Sequence, residues 1–148
     1  IKTNIMLKQI YKKVKISDNI LNIQMHREDL FMNTYEIRDL HKILLDIGIP
    51  SSLLGYAYII EGIRLIEDDN TYLRNITKRL YVDVAHTYNV TPSRVERNIR
   101  HAIGTGWRYG NVDYINTIFH NSINPQRGVP TNLQFFSTMY YYINRDRL

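Results

Sequence analysis

YVDVAHTYNVTPSRVERNIRHAIGTGWRYG, residues 81–110, is the stretch on which the fold turns. Its signals are those of a helix-turn-helix. A first helix ends near Tyr88, a tight turn passes through Asn89 and Val90, and a second helix begins at Pro92 or Ser93. Asn tolerates the left-handed backbone angles that close a helix. Thr91 is a good N-cap, and Pro92 suits the first helical position, where a missing N–H costs nothing. An overlapping start signal is Ser93 with Glu96 three residues on, the pattern of a capping box.

The two faces of the second helix differ in chemistry. At 100° per residue, Val95, Ile99, Ala102, Ile103 and Trp107 share one arc, which is expected to pack inward. The opposite arc carries Arg94, Arg97, Arg100 and His101, with Ser93 and Asn98 at its edges. Like charges stacked one turn apart cost roughly 0.2–0.5 kcal/mol per pair. A cationic face near a helix N-terminus also opposes the macrodipole. Such a stripe is usually a solvated surface. Here the preceding helix, the turn and the caps favour a recognition helix whose outer face meets an external polyanion in the major groove. Arg94 and Arg97 are then the base readers, since an arginine can take O6 and N7 of guanine together. Glu96 can accept from a cytosine amino group. Arg100 and His101, a turn further along, are expected to hold phosphates. So are Lys78 and Arg79 on the supporting helix, with Thr91 and Ser93 at the entrance to the recognition helix.

The balance of the chain agrees. In 148 residues, Lys and Arg number 19 against 14 Asp and Glu, a net charge of +5. That excess favours an anionic partner, double-stranded DNA first. There is no cysteine, hence no disulfide framework and no thiolate metal site, which fits a cytoplasmic setting. No apolar run is long enough to cross a bilayer, so no membrane association is expected. Nor is there a phosphate-cradling glycine loop, an H-E-x-x-H pair or a nucleophile elbow. His41, His86 and His120 are scattered and suit the surface. No enzyme activity, catalytic residue, metal or cofactor is expected.

Outward from the central stretch the expected fold is all-α, a compact bundle of about six helices. Residues 1–33 are a linker or N-terminal extension, with a weakly amphipathic segment at 1–15. Residues 34–148 form the helix-turn-helix domain. Thr34 caps a helix over 35–47 whose inner face is Ile37, Leu40, Leu44 and Ile47, ended by Gly48. Ser51 or Ser52 caps a second helix to about residue 67, lined inside by Leu54, Tyr58, Ile63 and Ile66. Gly55 and Gly62 mark close helix crossings, and Glu67, Asp68 and Asp69 form a solvated acidic end. Asn70 or Thr71 opens the supporting helix, with Ile76, Leu80, Val84 and Tyr88 spaced by four and Ala85 small enough to admit its neighbour. Asn111 caps a helix through His120 with Val112, Ile115, Ile118 and Phe119 apolar. A turn-rich loop follows over 121–130. Thr131 or Asn132 caps the last helix, with Phe135, Phe136, Met139, Tyr140 and Ile143. Tyr140 is expected inside, and Tyr141 and Tyr142 at the rim.

The string SRVERNIRHAI (Ser93–Ile103), within NITKRLYVDVAHTYNVTPSRVERNIRHAIGTGWRYGN (Asn75–Asn111), resembles the C-terminal effector domain of the sporulation master response regulator, the stage-zero sporulation protein A family. LLDIGIPSSLLGYAYIIEGIRLI (Leu44–Ile66) and PTNLQFF (Pro130–Phe136) extend the resemblance, which covers about residues 35–143. It implies that Arg94, Glu96 and Arg97 read a TGTCGAA-type box and that two domains bind tandem boxes head to tail. It also implies that the region of Asn111, Asp113, Asn116 and His120 contacts the RNA polymerase sigma subunit. The sequence departs from the family at His86 and Thr87, where lysines are usual, and at Gly104 and Gly106. The family also carries a receiver module of about 120 residues ahead of this domain, more than the residues before Thr34 can hold. A protein-interaction module of the same fold and a non-specific DNA binder remain the alternatives. The first lacks DNA preference altogether; the second loses affinity evenly on every sequence when Arg97 is removed.

Overall fold

A computed structural model describes residues 38–120, 122–123 and 128–146. The expectations for residues 1–33, the cap at Thr34, the burial of Ile37 and half of the turn-rich loop lie outside those residues. The compact unit that carries the expected motif spans Leu40–Leu148.

Helix α1 is described over residues 38–47. Leu40, Leu44 and Ile47, spaced by four and three, are buried. Gly48 ends it at φ +96°. Its amide bonds the Leu45 carbonyl at 2.9 Å and the Ile49 amide reaches back to Leu44 at 3.0 Å. A glycine suits this left-handed close.

Helix α2 is Leu54–Asp68. It begins later than the sequence suggests. Neither Ser51 nor Ser52 caps it; Leu53 holds the cap position with no side-chain bond, because a turn closed from the Leu53 amide to the Pro50 carbonyl at 3.2 Å occupies those serines. Leu54 is 50% exposed, whereas Tyr58, Ile63 and Ile66 are buried as expected. Ile59 lies near the centre of the buried arc, with Gly55 and Gly62 about 40° and 60° to one side of it, and Leu54 lies about 140° from it at 100° per residue.

The acidic end of α2 is tied in and not merely solvated. Glu67 accepts from the Asn144 amide at 2.7 Å, and Asp68 approaches Arg64 at 3.6 Å. Asp69 accepts from the Thr71 amide at 3.0 Å and from its hydroxyl at 2.6 Å. It is therefore Asp69, neither Asn70 nor Thr71, that caps the short 3-10 turn Asn70–Arg74. Asn75 caps in turn, taking the Lys78 amide at 3.2 Å. A wide turn over Ile76–Leu80 follows, in which the Tyr81 amide reaches back five residues to Ile76.

Helix α3, Tyr81–Tyr88, continues from that turn. Leu80, Val84 and Ala85 are buried, and Tyr88 is exposed. Asn89 closes the helix at φ 54°, ψ 50°, in the left-handed region. Helix α4, Pro92–Tyr109, starts from the Thr91 cap, whose hydroxyl takes the Arg94 amide at 3.3 Å. The overlapping Ser93–Glu96 signal is unused. Helix α5 is Val112–Phe119, capped by Asn111. Its Ile115, Ile118 and Phe119 are buried, but Val112 is exposed. Helix α6, Asn132–Asn144, has a full capping box of Thr131 with Gln134. Tyr141 lies outside and Tyr140 and Tyr142 are half-buried.

The described residues contain helices and turns and no strand. The largest fully buried side chains are Leu44, Ile47, Ile49, Ile59, Ile66, Leu80, Ile99, Ile103, Phe119, Phe135, Phe136 and Met139. Each such side chain contributes roughly 1.5–3 kcal/mol on leaving water. Helix α4 is central to that set. It crosses α2 so closely that a Cβ on Gly55 would sit 2.0 Å from the Asn98 carbonyl oxygen and 2.7 Å from the Ala102 Cβ. At its far end Trp107 stands edge-on to Phe119, ring centres 4.8 Å apart, and Phe119 stacks on Phe135 at 5.7 Å. There Gly110 meets the turn after α1: a Cβ on Gly48 would fall 2.4 Å from the Gly110 Cα, and one on Gly110 would fall 1.8 Å from the Ile47 oxygen.

Candidate nucleic-acid interface

Helix α4 is divided as its sequence requires. Val95, Ile99, Ala102, Ile103 and Gly106 are buried, and Trp107 is half-buried. Ser93, Arg94, Arg97, Arg100 and His101 are exposed, with Thr91 exposed just before them. With a rise of about 1.5 Å per residue, Arg94, Arg97 and His101 form one outward row about 10 Å long. No other part of the described chain covers that row. Helix α3 lies behind it, joined through the turn at Asn89, so the two helices have the arrangement of a helix-turn-helix.

The charges on this face are unequal. Glu96 is half-buried, and its carboxylate takes the Arg100 guanidinium at 2.7 Å. The expected cytosine reader and one expected phosphate contact therefore hold each other in this structure. Such an i,i+4 pair on an exposed helix is worth only about 0.3–0.5 kcal/mol. Arg94 and Arg97 have no carboxylate partner among the described residues, so they carry the unopposed positive charge. Asn98 turns back to the Arg94 carbonyl at 2.8 Å, which keeps it off the outer row.

The two cations of the supporting element also differ. The Lys78 side chain is exposed. Arg79 is half-buried and engaged three ways: with Asp69 at 3.1 Å, with the Thr71 hydroxyl at 2.8 Å, and over the Tyr72 ring at 4.4 Å. The bonds that Asp69 takes from the Thr71 hydroxyl and amide, and after them the Arg79 guanidinium, hold the Asp69 carboxyl below the usual carboxylate range. No periodic pattern marks this cage, because Asp69 and Arg79 stand ten residues apart across two short turns.

On α5, Asp113 and Asn116 are three residues apart and exposed on one face, and His120, also exposed, follows the last helical residue. Asn111 is exposed, but its side chain is occupied in capping, taking the Tyr114 amide at 3.0 Å. The expected histidines His41, His86 and His120 are all exposed. Among the described residues no group of three or more His, Cys, Asp or Glu side chains is placed to hold a metal ion. Nor is any helix among them long and apolar enough to cross a membrane.

Two side chains behind the face were not singled out by charge or spacing. Tyr81 and Asn132 are both buried, and the Asn132 amide donates to the Tyr81 hydroxyl at 3.0 Å and to the Glu96 carbonyl at 3.3 Å. Both residues fall inside the segments that carry the family resemblance, but nothing in their spacing marks them as a pair.

The family model for the sporulation initiation factor Spo0A C terminal matches residues 40–143 of this sequence. The match takes in α2 to α5, nearly all of α6 and almost the whole described part of α1. The chain belongs to that family, one of helical DNA-binding effector domains.

Proposed function

We propose that this domain is a sequence-specific regulator of transcription acting in the cytoplasm, and that it reads a TGTCGAA-type duplex box through the major groove with α4. The observation that carries the reading is the pair Arg94 and Arg97: exposed, one turn apart, and unopposed by any described carboxylate, on a helix whose other face is locked into the core. Each arginine, docked on O6 and N7 of a guanine, supplies roughly 1–3 kcal/mol of discrimination. Glu96 joins them once its bond to Arg100 opens. The pair is weak enough for a phosphate to displace the carboxylate from Arg100, which frees Glu96 for a cytosine amino group. Reading and backbone contact at these two residues are thus coupled. Lys78, His101, Thr91 and Ser93 supply further backbone contacts, and Arg79 does so only if phosphate outcompetes Asp69. Two domains on tandem boxes, head to tail, and a contact of the Asp113–Asn116–His120 face with the polymerase sigma subunit complete the reading.

A gel-shift titration with a TGTCGAA duplex and a scrambled duplex of the same composition tests it. A preference for the box is expected, with Arg97→Ala relaxing it at one base position. Lys78→Ala should instead weaken both complexes evenly and reduce the salt slope by about one. Equal, weak binding of the unaltered protein to both duplexes removes the proposal.

A further inference from the structure

The apolar contacts that hold α4 fix its distance from its neighbours, but apolar contact is non-directional. Val95, Ile99, Ala102 and Ile103 could accept small slides and rotations of the helix with little change in buried area. Base reading is less tolerant, since a reading side chain must be held within about 0.5 Å of its productive place. Something directional is needed beneath the reading residues, and Asn132 is placed to supply it.

Asn132 is the first residue of α6 and only 6% exposed. Tyrosines aside, it and Asn144 are the buried polar or charged side chains among the described residues. Its amide nitrogen reaches two elements at once: the Tyr81 hydroxyl, at the point where the wide turn becomes α3, and the Glu96 carbonyl, between Arg94 and Arg97 on α4. Within α4 that carbonyl also belongs to the helix's own ladder, and an oxygen with two lone pairs can serve both. Tyr81 is 3% exposed, and burial raises its hydroxyl's pKa, so it stays a neutral partner. The N-terminus of α6 is itself fixed by the Thr131–Gln134 box, with bonds of 3.2 and 2.8 Å. Asn132 therefore hangs from a rigid end and ties the supporting helix to the reading segment of the recognition helix.

We propose that Asn132, with Tyr81, is a positioning residue for DNA reading: it touches no nucleotide and sets the register of α4 at Glu96, and through it the placement of Arg94 and Arg97. This rests on the base-reading role proposed above. Buried polar groups are retained in some proteins for such specificity and not for stability.

The test compares the unaltered protein with Asn132→Leu and Tyr81→Phe on the TGTCGAA and scrambled duplexes, with thermal melting of each variant. The ratio of the two affinities from one preparation does not depend on how much of it is folded. The leucine has the same number of side-chain heavy atoms and branches at the same carbon, but makes neither bond. It is expected to lower the ratio about tenfold, the worth of one such hydrogen bond, while binding to the scrambled duplex and the salt slope stay unchanged. Tyr81→Phe, which leaves the Glu96 bond in place, should lower the ratio less. A residue serving stability alone would shift the melting temperature and leave the ratio intact, and that outcome overturns the proposal. Should Asn132→Leu fail to fold, Tyr81→Phe decides by the same ratio. If the unaltered protein shows no preference for the box, the base-reading role fails first, and the two failures are thereby told apart.

Discussion

Two glycines on packed helices should respond to alanine with opposite signs. Gly55 lies in α2 and Gly104 in α4, and helix propensity alone favours alanine at either by about 1 kcal/mol. A Cβ at Gly104 meets nothing within 4 Å, so Gly104→Ala should keep that gain. At Gly55 the new atom would lie 2.0 Å from the Asn98 carbonyl oxygen and 2.7 Å from the Ala102 Cβ. The first obstacle is backbone, which cannot rotate aside. Helices α2 and α4 must then part by roughly 1 Å, and a gap of that size forfeits about a quarter to a half of the dispersion well for atoms facing across it. Overpacking of this kind costs up to about 3 kcal/mol, which leaves a net loss of about 2 kcal/mol after the propensity gain. For a domain of this size, about 4–8 °C of melting temperature accompanies each kcal/mol. Gly55→Ala should therefore melt about 8–16 °C below the unaltered protein, and Gly104→Ala about 4–8 °C above it, by circular dichroism at 222 nm. If both variants melt higher, α2 and α4 do not cross at Gly55 and the packing that supports the reading face is wrong.

Other outcomes follow from single contacts. Thr91→Ala removes the oxygen that takes the Arg94 amide and should cost about 1 kcal/mol in urea unfolding. His120 sits at φ 42°, ψ −126°, a conformation a side chain resists. His120→Gly should stabilise the domain by about 1 kcal/mol, and an unchanged urea midpoint would show that no strain is held there. Burial raises the Glu67 carboxyl above its ordinary range, with the Asn144 bond opposing. A raised acid contributes stability that is complete below its unfolded pKa and lost as pH rises through its folded pKa. Glu67→Gln should therefore stabilise the domain at neutral pH and flatten the part of the profile that lies just above the ordinary carboxylate range. Asp69, whose carboxyl is lowered chiefly by Thr71, has the opposite sign: its contribution is present above the ordinary carboxylate range and lost as pH falls through its lowered pKa.

The helix-turn-helix was legible because its signals are local. The turn at Asn89, the Thr91 cap, Pro92 and the apolar arc of α4 each depend on residues within a few positions of one another. The end of α1 at Gly48 was legible for the same reason, and the cap of the last helix was narrowed to Thr131 or Asn132, of which the structure uses Thr131. The start of α2 was not, since two serines that could cap were pre-empted by the carbonyl of Pro50. Its inner face was assigned from large apolar residues and so was turned toward Leu54, when Gly55 and Gly62 were nearer its centre. Within the candidate site, sequence placed Arg94 and Arg97 outward but could not show that Glu96 is bound to Arg100, or that Arg79 is caged by Asp69, Thr71 and Tyr72. Asn132 is marked in the sequence only as a candidate helix cap, because the partners of its amide lie 36 and 51 residues away, and a distant hydrogen bond leaves no periodic trace.

The meeting of Gly48 with Gly110 has a bearing on how such a protein can change over generations. It is main chain lying on main chain, so it takes no account of which side chains surround it. A lineage could exchange any residue on the outer row of α4, and so exchange its target sites, without disturbing this distant fastening. Neither glycine could be replaced alone, nor could a compensating change opposite it make room, because the obstacle is peptide and not side chain. Innovation at one end of the helix is in this way insulated from invariance at the other.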